Sequence, residues 1–178
     1  MILDEGSPAK PTPSLPRPSW RSSPLMARSA DLDLEQCALA AASCACFNLR
    51  KASRAVTQLF DEVLQPTGLR STQLVILLAA ALFERASVSQ LARELVMDRS
   101  TLTRNLRPLI AAGLLELSAG KDGREKQVEL TAKGRKSLVK ALPVWAGAQQ
   151  AFVDHVGAAR WEELHAGLTR VAALARED

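Results

Sequence analysis

The sequence predicts a mainly α-helical chain that carries one small β-hairpin. Three observations lead there. From about Asp31 onward, apolar residues recur at helical spacing. After Gly113 the period switches to alternation over two short runs, "LLELS" and "KQVEL". From Thr131 the helical period returns and holds to the end of the chain. A length of 178 residues suits one domain with a sizeable core and a tail.

Composition narrows the function classes. A formal net charge of +4 and a pI near 9.3 lean toward polyanionic partners. Aromatic residues make up only 4% and tyrosine is absent, which argues against surfaces that stack RNA bases on rings. The longest apolar run, Leu74–Phe83, is about half of the ~18 residues a membrane span needs. No charged segment followed by an apolar one opens the chain, so no signal peptide is expected. These features predict a cytoplasmic protein with no membrane partner, in a compartment that keeps thiols reduced.

The elements follow in order. Residues 1–30 hold six of the nine prolines, and "SPAKPTPSLPRPSW" cannot be helical, because each ring removes a donor and restricts its neighbour. This segment is expected to be a disordered tail with polyproline II character. Residues 31–65 form the N-terminal helix region, with Leu49, Ala52, Val56, Leu59, Phe60 and Val63 on its apolar side and "QPTG" as its stop. Ser71 is expected to cap a short apolar helix, Thr72–Glu84. Ser87 with Gln90 three residues on is a capping-box pattern, and Val88, Leu91, Ala92 and Leu95 make the stripe of the next helix. Asp98 caps the helix after it. Leu102, Leu106, Leu109 and Ile110 are its buried face, Gly113 is its stop, and Pro108 should bend or loosen its last turn. The two strands then flank the turn "AGKDGRE". Thr131 opens a long helix, Gly157 breaks it, and a final helix closes the chain.

Two short helices joined by a tight turn and followed by a hairpin make a winged helix-turn-helix. It is placed at 66–131, with the C-terminal helices at 132–178. Ser100, Thr101, Thr103, Arg104 and Arg107 lie outside the buried stripe of the second helix. A major groove admits one helix, where Arg reads guanine and Ser or Thr read several partners. The hairpin tip carries Lys121, Asp122, Gly123, Arg124 and Lys126, cations suited to phosphates or a narrow minor groove. A solvated polar face and a bland surface hairpin are the plain alternatives.

"SVSQLARELVMDRSTLTRNLRPLIAAGLLEL" followed by "KDGREKQVELTAKGR" resembles the core of the MarR family of winged-helix transcription regulators, over about residues 45–155. The resemblance implies a homodimer joined by its N- and C-terminal helices, which binds double-stranded DNA at a pseudo-palindromic operator. It assigns base reading to Ser100, Thr101, Thr103, Arg104 and Arg107, the wing contact to Arg124, and the orienting of that arginine to Asp122. The run Glu125-Lys126-Gln127 is less arginine-rich than members often show. Independently, the C-terminal apolar positions Leu138, Leu142, Trp145, Phe152, Trp161, Leu164, Leu168, Val171 and Leu174 exceed what a small winged domain needs. They suit either a dimer interface or a second intramolecular core. The competing function is a winged-helix module for protein–protein contact with no operator.

No enzyme is expected: there is no phosphate-binding glycine loop, no H-E-x-x-H and no nucleophile elbow. His155 and His165 stand ten residues apart, which is not a local ligand spacing. All three cysteines, Cys37, Cys44 and Cys46, lie in "CALAAASCACF". In one unbroken helix, Cys37 and Cys44 would stand about 10.5 Å apart along the axis, and Cys44 and Cys46 would point about 200° apart. Neither pair could then meet the limit of about 7 Å between Cα atoms of a disulfide. Extended backbone would instead turn C-x-C into a chelating pair. Three readings stay open: plain packing as small apolar residues, capture of a thiophilic metal or arsenite by thiolates, or oxidation of Cys46 resolved across a dimer. "CACFNLRKASR" is similar to the organic-hydroperoxide-sensing branch of the family, whose sensing thiol maps onto Cys46, although that branch activates its thiol with tyrosines. A small lipophilic effector held beside the dimer helices is the alternative without thiols.

Overall fold

The computed structural model describes residues 32–120 and 125–174. The proline-rich tail lies outside them. Among the described residues, those up to Ser43 and those from Cys44 fall into two separate units. In the first, helix α1 spans Leu34–Ser43 and is opened by Asp33, whose carboxylate accepts from the Glu35 and Gln36 N–H groups.

The N-terminal helix region is not one helix. Cys44 is extended, with φ −68° and ψ 114°, and serves as N-cap of α2, Ala45–Leu64. Its sulfur accepts from the Phe47 N–H at 3.4 Å, and its carbonyl accepts from the Asn48 side chain at 3.0 Å. Only an unbroken helix keeps these cysteines too far apart for a local disulfide, and the helix is broken at Cys44.

A single 3-10 turn, Gln65–Thr67, leads to α3, Ser71–Leu82. Ser71 is not the cap. Arg70 holds that position, and its N–H donates to the Gln73 side chain at 3.0 Å. Ser71 is the first helical residue, and both its N–H and its hydroxyl donate to Asp61 of α2 at 2.6 Å. An acceptor ten residues upstream thus takes over the capping, and these bonds hold the Asp61 carboxyl below the usual carboxylate range. The helix stops two residues before Glu84, which adopts a left-handed φ of +48°.

Helix α4, Val88–Glu94, is capped by Ser87, whose hydroxyl accepts from the Gln90 N–H at 3.1 Å. Helix α5, Arg99–Ala111, is capped by Asp98. It runs three residues past Pro108, whose missing N–H leaves the Arg104 carbonyl without its usual backbone donor. Gly113, at φ +69°, closes α5: the Gly113 and Leu114 N–H groups donate to the Ile110 and Leu109 carbonyls.

Strands β2, Leu115–Ala119, and β3, Lys126–Leu130, pair antiparallel with Leu115 opposite Leu130 and Ala119 opposite Lys126. A third strand, β1 at Ala86–Ser87, pairs with the other edge of β3. Sequence periodicity does not reveal it, because two residues are too few to show alternation.

The core lies beneath this sheet. Leu64, Leu77, Leu91, Leu102 and Val128 are fully buried, so α2, α3, α4, α5 and β3 converge on one cluster. Each such side chain contributes about 1.5–3 kcal/mol on burial. Helices α6, Ala132–Val156, and α7, Ala158–Ala173, complete the chain, with α6 against α2 and α3. The opening of α6 is knit to the end of α5. The Thr131 hydroxyl donates to the Gly113 carbonyl at 2.7 Å and accepts from the Gly134 N–H at 2.9 Å. Lys133 Nζ donates to the Ala112 carbonyl at 2.7 Å. Phe60, Phe152 and Trp161 link α2, α6 and α7 through ring contacts of 6.4 and 5.4 Å.

Candidate nucleic-acid interface

Helix α5 separates its two faces as amphipathic spacing requires. Leu102, Leu106 and Leu109 are buried, while Ser100, Thr103, Arg104 and Arg107 are exposed and Thr101 is half-buried. Burial of the leucines fixes the rotation of the helix about its axis. That rotation holds the polar set outward.

Asp98 organises the start of that polar set. Its Oδ1 accepts from the Thr101 N–H at 2.7 Å and from the Ser100 hydroxyl at 2.6 Å, and its Oδ2 accepts from the Thr101 hydroxyl at 2.6 Å. Three bonds to one carboxylate hold its pKa far below the ordinary range: those from Ser100 and Thr101 dominate, and the Arg104 charge adds less. Arg104 donates to the Thr101 hydroxyl oxygen at 3.1 Å. Ser100, Thr101 and Arg104 are thus brought together. Thr103 is satisfied separately, its hydroxyl donating to the Arg99 carbonyl at 2.7 Å. Asp98 is legible from sequence as a cap. Its role as a clamp on three base-reading candidates is not, although Asp at the N-cap with Ser and Thr two and three residues on is the pattern that permits it.

The wing has its own support at its base. Glu129 of β3 accepts a short hydrogen bond from Ser118 of β2 and pairs with Arg85, just before β1, at 3.4 Å. The Ser118 bond first, and then the Arg85 charge, lower the Glu129 pKa. These three residues tie all three strands together. They are eleven and forty-four positions apart, so no local motif announces them. Asp122 and Arg124, the wing residues expected to act, lie outside the described residues.

Cys37, Cys44 and Cys46 are all exposed on the single chain, which removes plain burial within it as their explanation. Among the described residues no three His, Cys, Asp or Glu side chains gather to hold a metal ion. No helix among them is long and apolar enough to cross a membrane. An apolar cavity of about 550 Å³ opens between α2, α3, α6 and α7, lined by residues that include Val56, Phe60, Val75, Trp145, Phe152 and Trp161.

This architecture has close counterparts. A profile described as "MarR family" matches residues 67–125. The transcriptional regulator MosR of M. tuberculosis, solved in complex with DNA, is 38% identical with a TM-score of 0.69, over 75% of this chain and 96% of that one. A probable transcriptional regulator from Pseudomonas aeruginosa is 27% identical with a TM-score of 0.66, over 72% and 97%. The apo form of MarR from E. coli, at 22% identity, shares the fold with a TM-score of 0.58, over 69% and 93%. No curated protein matches the sequence. With one buried and one polar face on α5, a wing behind it and a DNA-bound counterpart at this identity, the chain belongs to the MarR family of winged helix-turn-helix transcription regulators.

Proposed function

We propose that the chain is a homodimeric, sequence-specific DNA-binding regulator of repressor type that acts in the cytoplasm. Helix α5 enters the major groove with Ser100, Thr101, Thr103, Arg104 and Arg107 toward the bases, and Arg124 of the wing, flanked by Asp122, meets the adjacent backbone or minor groove. The observation that carries this reading is the outward polar face of α5, fixed by Leu102, Leu106 and Leu109 beneath it. The 38% identity to MosR, solved in complex with DNA, supports it. A two-fold dimer addresses half-sites about 34 Å apart on a pseudo-palindrome.

The test is titration of operator and scrambled duplexes. Arg104→Ala lowers discrimination by about 1–3 kcal/mol at one base pair, as expected for a lost guanine contact. Arg124→Ala weakens binding evenly across sequences. Unchanged operator affinity in both variants refutes the DNA-reading assignment. A salt-dependent shift of a palindromic duplex supports this reading, and its absence favours the protein-contact module instead.

For the effector, the cavity between α2, α3, α6 and α7 favours a small lipophilic molecule, since its volume falls in the range of small-molecule sites. The thiol readings, soft metal or arsenite capture and oxidation, draw support from the exposure of the three cysteines; the extended backbone that would turn C-x-C into a chelating pair ends at Cys44, since Ala45 and Cys46 are helical. Replacing all three by serine and assaying DNA release by peroxide, arsenite, copper and zinc separates the two classes. A variant that responds like the wild type removes the thiols from the mechanism.

A further inference from the structure

The hydroxyl groups on the recognition face are already committed in one direction. An ionised carboxylate can only accept hydrogen bonds, so Ser100 and Thr101 must spend their O–H hydrogens on Asp98. A carbonyl is likewise an acceptor, so Thr103 spends its hydrogen on Arg99. What remains on all three oxygens is lone pairs, one of which on Thr101 takes the Arg104 guanidinium. Among these four side chains, the donors offered to DNA therefore come from Arg104.

We propose that Asp98 is a specificity-determining residue: by holding the Ser100 and Thr101 hydrogens, it makes their oxygens read only bases that present an amine in the major groove. This deepens the proposed reading of DNA by α5 and rests on it. In the major groove, adenine presents its N6 amine and cytosine its N4 amine, whereas guanine O6 and N7 and thymine O4 only accept. Phosphate oxygens also only accept, so the Ser100 and Thr101 hydroxyls cannot donate to the DNA backbone while Asp98 holds them. The result is a division of labour along the helix. Hydroxyl oxygens near the N-terminus take amine-bearing bases, and Arg104 and Arg107 take guanine. Asp98 acts through its neighbours and is a positioning residue.

Two substitutions turn the hydroxyls while keeping a residue accepted at an N-cap. In Asp98→Asn, the amide oxygen keeps the Thr101 N–H and the amide nitrogen donates to the Thr101 hydroxyl, which must then point its own hydrogen outward. In Asp98→Gly, both hydroxyls are released. Thr103 is untouched in either and is the internal control.

The experiment selects bound duplexes from a randomised pool with full-length wild-type protein and both variants, then measures affinity for the selected duplex with single amines deleted. The amine-free bases are purine for adenine and 2-pyrimidinone for cytosine. Wild type is expected to enrich adenine or cytosine at the positions facing Ser100 and Thr101. It should lose about 3- to 10-fold in affinity on amine deletion there, the worth of one hydrogen bond. Asp98→Gly should become indifferent to that deletion and admit guanine or thymine. Asp98→Asn should do so at one position only, and guanine opposite the arginines should persist in both. Because the readout is base identity, the added positive charge of the variants cannot mimic it. If wild type enriches a sequence but both variants keep its base preferences and amine dependence, the role of Asp98 is overturned and DNA reading stands. If wild type enriches no sequence, DNA reading itself falls and takes this proposal with it.

Discussion

Helices α5 and α7 are of similar length, 13 and 16 residues, and both alternate apolar and polar faces, yet they end in opposite states. Helix α5 sinks Leu102, Leu106 and Leu109 to between 0 and 2% exposure. Helix α7 buries no residue: Leu164, Leu168 and Val171 stay 46, 38 and 49% exposed. Helix α2 stands between the two: it buries Phe60 and Leu64 but leaves Leu49, Val56, Leu59 and Val63 at 37–44%. Amphipathic spacing says that a face wants burial; it does not say against what. Helix α5 finds its burial within its own chain, whereas Leu164 and Leu168 of α7 face the open apolar cavity together with Leu49 and Val56 of α2. On the dimer reading a second copy covers the mouth of that cavity.

Damage to either face should have a different consequence. Leu106→Ala removes a side chain from a closed core and should lower stability by about 2–5 kcal/mol. The double change Leu164→Glu and Leu168→Glu should leave the helical content of the chain intact. It should weaken dimerisation by at least about 100-fold, because like charges across an interface cost several kcal/mol. Urea unfolding reads the first, and sedimentation with circular dichroism reads the second. A double variant that stays dimeric shows that α7 is not the interface. A Leu106→Ala variant with unchanged stability shows that α5 is not anchored as its burial implies.

A second, smaller perturbation falls at the joint between the two regions. A Cβ on Gly134 would sit 2.0 Å from the Leu114 carbonyl oxygen and 2.9 Å from Leu130 Cδ1. The first contact is to backbone, which cannot swing away. Gly134→Ala should therefore push the start of α6 off the sheet, costing about 1–3 kcal/mol as overpacking does. It should also lower operator affinity, since Thr131 and Lys133 bind the end of α5 from the same turn. A drop in melting temperature with operator affinity unchanged would mean that the DNA-reading region and the helical frame are less coupled than these bonds imply.

The same contrast explains what the sequence makes legible. The polar face of α5, its cap at Asp98, its stop at Gly113 and the strands of the wing all follow from local spacing, because each depends on residues within a few positions. Strand β1 is too short to show a period. The capping of α3 by Asp61 and the Arg85–Glu129–Ser118 tie depend on partners distant in sequence. The break at Cys44 has no glycine or proline to mark it, and a sulfur, a weak acceptor, fills the cap. The cavity is assembled from four helices whose apolar residues look like ordinary core when read one helix at a time.

The smallest prediction concerns how firmly α5 is held at its ends. The turn before it and the turn after it close alike. Val96 and Met97 donate to Arg93 and Ala92, as Gly113 and Leu114 donate to Ile110 and Leu109. One left-handed position is filled by glycine, at φ +69°, and the other by a β-branched residue, at φ +51°. Left-handed backbone costs an L-residue roughly 1–2 kcal/mol, and glycine avoids that cost. A Cβ at Gly113 would meet only Lys133 Cδ, at 3.9 Å, so Gly113→Ala tests backbone strain without a clash. It should lower stability by about 1 kcal/mol. Val96→Gly releases the same strain, but it also frees the unfolded chain and gives up a half-exposed side chain, so its gain should be only about 0.5 kcal/mol or less. Urea midpoints at one fixed protein concentration compare the two. If Gly113→Ala is silent, the left-handed closure does not hold the end of α5, and its anchoring reduces to the three buried leucines and the bonds from Thr131 and Lys133.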